Sequence, residues 1–366
     1  MKIAPIIHSM DKEWGDKKNY NYRLIHTGQH YDHNMSEQFF NQLDIPKPDI
    51  NLEVGSGTQA AQTAGIMIGY EKVLLKEKSD LCIVVGDVTS TMACAITAQK
   101  MHVPVAHVEG GIRSDDWTMP EEINRLLTDS ITNWFFTTSE FANKNLVKSG
   151  VSRDRIFFVG NTMIDTLLAN MQKLKKPDFW DDLKLTPGDY FVMTMHRPSN
   201  VDSLERLQKL LYAVAMNVDG HPLVFPVHPR TQKQLDDLDN KITNMHYVAP
   251  QGYLEFNYLV KHAKGVITDS GGITEETTVM SVPCLSLREN TERPETVSVG
   301  TNELVGHNKK RLFQRCIKLH PGVGKREKYL KNGMAKQRNE SYNEFRNLLG
   351  KNQTVSEGII SNESYP

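Results

Sequence analysis

Little in this chain marks it for a specialised environment. It has only four cysteines, Cys82, Cys94, Cys284 and Cys316, far apart and without a C-x-x-C pair. That excludes a disulfide framework, argues against a structural zinc site and fits a reducing compartment, here expected to be the cytoplasm. No apolar run reaches the roughly 18 residues a membrane helix needs. The opening stretch MKIAPIIHSMDKEW is too short, and too soon charged, for a signal peptide. Charge of either sign is also missing in excess: 43 Lys and Arg stand against 44 Asp and Glu, for a formal net charge of −1. Neither nucleic acid nor a membrane surface is implied as a partner. There is no internal repeat. What remains is an ordinary globular composition, 39% hydrophobic and 24% charged, over 366 residues, enough for two or three domains.

Short apolar runs alternate with helix-length amphipathic stretches. LCIVVGD (81–87) reads as a buried strand and TSTMACAITAQKM (89–101) as the helix after it. VPVAHVEGG (103–111) is the next strand and loop, and PEEINRLLTDSI (120–131) has Pro at a first helical position followed by two acids. After a more polar stretch (170–189) the alternation resumes with YFVMTMH, PLVFPVH, HYVAP, GVITDS and VPCLSL. The pattern predicts an α/β protein of two doubly wound, Rossmann-like domains, residues 1–169 and 170–350, with a ligand site in the cleft between them. Residues 351–366 read as a disordered tail.

Residues with chemistry stand at the predicted strand ends. These are Asp87, Glu109, the pair His196 and Arg197, His228, and Asp269 with Ser270. The stretch ITDSGGITEE (267–276) contains the Asp-Ser-Gly-Gly of trypsin-like nucleophiles, but those proteases are all-β and this chain alternates. Two readings of Ser270 stay open. With Gly271 and Gly272 it opens a helix whose N–H groups and dipole attract a phosphate, or it is a plain cap. Asp87 is an acid–base candidate or a helix cap, Glu121 a catalytic acid or a first-turn charge, and His196 a site residue or a core histidine. Arg288 and Arg293 are anion ligands or solvated surface charges, and Phe256 is ligand packing or core.

Taken in order, HVEGGIRS, MPEEINR, VGNTMID, HR with Asn three residues on, VHPRT, TDSGGITEE and NTERPETVSVGTNELVG resemble the motifs of UDP-N-acetylglucosamine 2-epimerases, from Met1 to about residue 310. The resemblance implies a GT-B-like fold, no redox cofactor and no metal. It implies reversible conversion of UDP-GlcNAc to UDP-ManNAc, by elimination of UDP to 2-acetamidoglucal and re-addition from the other face. It assigns Asp87, Glu109, Glu121 and His196 to catalysis. It assigns Lys2, Arg113, Arg197, Phe256, Ser270, Gly271, Gly272, Glu276, Arg288 and Arg293 to substrate binding. Gln29, His30, Gln59 and His228 would contribute to an activating second UDP-GlcNAc site, with Asp32 where a glutamine often stands. A homodimer serving surface-polysaccharide synthesis is implied as well.

The sequence departs from that pattern at both ends. The family's opening strand and its Gly-Thr-Arg-Pro-Glu are absent before KIAP, so the first strand of the N-terminal domain is expected to be missing and the sequence to begin at an internal Met. The expected Asp-Gly before the last helix is absent too. Three competing readings follow: a hydrolysing relative that releases ManNAc and UDP, a glycosyltransferase of the same fold, and a nucleotide-sugar binder that no longer catalyses.

Overall fold

The computed structural model describes residues 1–14, 21–28, 39–227, 229–235 and 242–306, and it forms two compact units. In the amino-terminal unit (described residues 5–14, 21–28 and 50–161) the helices are α1 (Ala4–Trp14), α2 (Gln59–Lys76), α3 (Thr89–Lys100), α4 (Pro120–Ile131) and α5 (Glu140–Lys148). Its strands are β1 (Ile25–His26), β2 (Ile50–Asn51), β3 (Cys82–Val85), β4 (Val105–Val108), β5 (Trp134–Thr137) and β6 (Ile156–Phe158). Strands β3, β4, β5 and β6 form a parallel sheet in that order, and β1 and β2 form a separate parallel pair. Side chains alternate across the sheet. Val84, Val105, Ala95, Ala98 and Tyr70 pack on one face, and Ala106, Val108, Phe136 and Met10 on the other.

The carboxy-terminal unit takes residues 1–4 and 39–49 together with 162–306. Its helices are α6 (Thr162–Asn170), α7 (Pro198–Val201), α8 (Leu204–Ala215), α9 (Pro229–Leu235), α10 (Tyr253–His262), α11 (Gly271–Met280) and α12 (Pro294–Ser298). Its strands are β7 (Phe191–Thr194), β8 (Leu223–Pro226), β9 (Met245–Val248), β10 (Gly265–Thr268), β11 (Cys284–Ser286) and β12 (Asn302–Leu304), all parallel in the order β12-β11-β10-β7-β8-β9. Phe191, Met193, Phe225 and Ile267 fill one face and Val192, Val224, Val266 and Cys284 the other. The winding reverses between β7 and β10, which lie side by side with Thr194 opposite Thr268. Ligands of doubly wound sheets bind beyond the carboxyl ends of the strands at such a switch, and His196 and Ser270 follow these two strands.

Every strand and helix read from the apolar runs is present. Strand β12 and the two-residue strands β1 and β2 were not foreseen, because each is too short to show a period. Cys82 and Cys284 are buried and, like Cys94, unbridged. Among the described residues no helix is long and apolar enough to cross a membrane.

Candidate active site

Helix α4 turns its charged face inward. Glu122, Arg125 and Asp129 recur every three or four residues and are all buried, whereas Ile123 and Leu127 on the other side are about 40% exposed. A helix is usually oriented by its apolar stripe; here ion pairs set the orientation. Arg125 donates to Oδ2 of Asp87 from Nε (2.9 Å) and Nη2 (2.7 Å), and from Nη1 to Glu122 (2.5 Å). Glu122 also accepts the N–H of Ser114 and of Asp115. Burial would raise its pKa, but the Ser114 N–H and Arg125 outweigh that and hold it below the ordinary value. Asp87 does not cap α3: the cap position is Val88, with no side-chain bond. Its carboxylate is instead held at the end of β3 by Arg125.

Glu109 ends β4. It is 3% exposed, and its backbone lies in the left-handed region (φ 71°), where non-glycine residues are rare and strain is stored at working sites. Its N–H donates to Phe136 at 2.8 Å, which fixes the turn. Arg113 reaches Asp129 at 2.6 Å. Glu121 sits half-buried in the first turn of α4, and Gln59 opens α2 and accepts the Thr89 hydroxyl at 3.2 Å. Asp87, Glu109, Arg113, Glu121 and Gln59 therefore belong to one unit, with the first three in one polar neighbourhood.

The carboxy-terminal unit holds the other set. Asp269, fully buried after β10, accepts the backbone N–H groups of His196 and Arg197, the Asn200 amide at 2.9 Å and Nδ1 of His196 at 2.9 Å. Burial pushes its carboxyl up, and His196 and Asn200 more than reverse that. His196 is no core histidine: its side chain is about half exposed, with the ring oriented by Asp269. Arg197 turns back to the Asp269 carbonyl at 3.0 Å. Ser270 occupies the N-cap position of α11 without a side-chain cap bond, so its hydroxyl is not spent on the helix.

Arg288 and Arg293 are 4% and 5% exposed, which removes the surface-charge reading. Arg288 pairs with Glu292, and Arg293 lies 3.4 Å from Glu275. A Cβ on Gly271 would collide with the Glu292 carboxylate, so only glycine lets that carboxylate lie against the first turn of α11. A Cβ on Gly272 would lie 2.9 Å from Met163 Cε. Burial works to raise the Glu292 pKa, but Arg288 and then Arg293 bring it down to about 2. Glu276, further along α11, is enclosed beside Tyr253 and Asn257, and burial pushes it up to about 7. Phe256 packs on the core around Leu259 and Val260, the bland alternative. Lys2 is half-buried in this unit. Gln29, His30, Asp32 and His228 lie outside the described residues.

Sequence reading missed Asp269 as the partner of His196, and it missed Arg125, Glu122, His107, Asp129 and Glu292. The motif MPEEINR contains Glu122 and Arg125, HVEGGIRS contains His107, TDSGGITEE contains Asp269 and NTERPETVSVGTNELVG contains Glu292, but none of them showed the pairing.

Comparison with known proteins agrees with the motif order. The family model described as UDP-N-acetylglucosamine 2-epimerase matches residues 12–341. A UDP-N-acetylglucosamine 2-epimerase of Methanocaldococcus jannaschii is 43% identical over 325 residues, 86% of this chain and 87% of the relative. A UDP-2,3-diacetamido-2,3-dideoxy-D-glucuronate 2-epimerase of Pseudomonas aeruginosa is 40% identical over 287 residues, 77% of this chain and 79% of the relative. The crystal structure of the M. jannaschii enzyme in complex with UDP-GlcNAc and UDP superposes with a TM-score of 0.80 at 40% identity, covering 96% of each chain. The fold is GT-B-like, and the chain belongs to the UDP-N-acetylglucosamine 2-epimerase family.

Proposed function

We propose that this protein interconverts UDP-GlcNAc and UDP-ManNAc without releasing free sugar. The observation that carries the reading is Glu109, a buried carboxylate on a strained turn at a strand end, inside a family of 2-epimerases. The C2 hydrogen of the sugar is not next to a carbonyl, so enolisation is closed. In the elimination route a base takes the C2 proton, the C1–O bond to UDP breaks, and a C1–C2 double bond forms. Addition of UDP at C1 and of a proton at C2 from the opposite face gives the epimer. Glu109 is the proton-transfer residue, with Glu121 and the Arg125-held Asp87 beside it in role. Ser270, the first-turn N–H groups of α11, Arg288 and His196 hold the departing diphosphate, and Glu276 takes the ribose.

The non-hydrolysing outcome, a cytoplasmic location and a homodimer belong to the same proposal. Ile68 and Leu75 on α2 and Ile123 and Leu127 on α4 give the amino-terminal unit exposed apolar side chains that a second copy would cover. A second substrate reading rests on the Pseudomonas relative, whose name specifies a diacetamido uronate. A proton NMR time course in D2O with UDP-GlcNAc tests the proposal. UDP-ManNAc deuterated at C2 supports it. Free ManNAc with UDP indicates hydrolysis, and turnover of only the diacetamido uronate indicates the second substrate.

A further inference from the structure

His107 lies on β4 two residues before Glu109 and is wholly buried. Its Nδ1 is 2.7 Å from Oδ1 of Asp129, and its Nε2 is 2.8 Å from the carbonyl oxygen of Gly86, the residue before Asp87. Both oxygens are acceptors, so both ring nitrogens must donate, and only the imidazolium does so. Asp129 is the carboxylate: burial would raise its pKa, but His107 and then Arg113, 2.6 Å from its other oxygen, hold it below the ordinary value, and that oxygen also accepts the Gly111 N–H at 3.0 Å. The assembly leaves no slack: a Cβ on Gly110 would sit 3.3 Å from His107 Nδ1, and one on Gly111 would strike the backbone of Ala142.

We infer that His107 is a buried imidazolium that positions Glu109 and Asp87. The charged groups around it are Asp129 from α4, Arg113 from the loop after β4, and Glu109 itself. Asp129 lies between the two cations, and Asp87 and Glu122 flank Arg125 beyond them. Burial alone would lower the His107 pKa, but Asp129, then the Gly86 carbonyl and Glu109, raise it above the ordinary histidine value. The inference rests on the epimerase reading for its role in turnover, but the charge state of His107 is independent of it.

The test compares wild type with His107→Asn, which keeps a donor towards Asp129, and His107→Gln, which keeps one towards Gly86; neither carries charge. In wild type the 15N spectrum of the His107 ring should show both nitrogens protonated at about pH 7.5. In both variants kcat for UDP-GlcNAc should fall at least about tenfold, as expected of misplaced reacting groups, while KM stays within about threefold. A neutral His107 ring overturns the inference, as does an unchanged kcat in variants shown by circular dichroism to be folded. A wild type that turns over no UDP-sugar defeats the epimerase reading alone, because the 15N spectrum still decides the charge state of His107.

Discussion

At the scale of single residues, the candidate site is built from charges whose partners are distant in sequence. Glu109→Gln removes the acid–base group while keeping its shape, so kcat should fall about 10²- to 10⁴-fold with UDP affinity retained; rates and calorimetry of UDP binding check this. Asp269→Asn places an amide where four donors converge, so it should cost about 2–4 kcal/mol in urea denaturation. Glu109, Asp87 and His196 were legible because each ends an apolar run, where doubly wound sheets place chemistry. Their supporting partners were not: Asp129 lies 22 residues from His107, Arg125 lies 38 from Asp87, and Asp269 is about 70 from His196. Such pairings are made by sheet order, which no local pattern encodes.

Elements were easier to read than their orientations. PEEINRLLTDSI gave the bounds of α4, because Pro120 starts it and the apolar repeat sustains it. Ile123 and Leu127 face outward, because the buried Glu122, Arg125 and Asp129 find their ion-pair partners on the inner side of the helix. At α11 the ambiguity over Ser270 resolves against side-chain capping. Ser270→Ala should therefore change stability by less than about 0.5 kcal/mol, where a working cap is worth about 1, while weakening UDP binding; thermal melts with and without UDP separate the two effects. Glu292 lies against Gly271 and on Arg288, two of the residues proposed to hold the diphosphate. Glu292→Gln should accordingly bind pyrophosphate several-fold more tightly by calorimetry.

For the molecule as a whole, buried acids divide by sign. Asp129, Asp269, Glu122 and Glu292 have lowered pKa values, so the stability they contribute is full above the ordinary carboxylate range and is lost as pH falls through their folded values. Glu276 has the opposite sign. Raised from 4.5 to about 7, it costs nothing while protonated in both states, and it destabilises the fold progressively as pH rises between those values. Glu276→Gln should thus match wild type in stability below about pH 4.5 and gain on it up to about pH 7, in urea titrations across that range. The alternation of strands and helices was legible in the sequence, whereas the inclusion of residues 1–4 and 39–49 with the second sheet was not, since no pattern marks which sheet a connecting segment joins. The Glu292–Arg288 contact has one more consequence. Arg113, Arg125 and Arg288 each lie against a carboxylate, and the chain's formal charge is −1. A molecule so neutralised from within projects little field beyond its surface. It meets an anionic substrate by unaided diffusion and exchanges one anion for another only on contact, so its kcat/KM should barely respond to ionic strength.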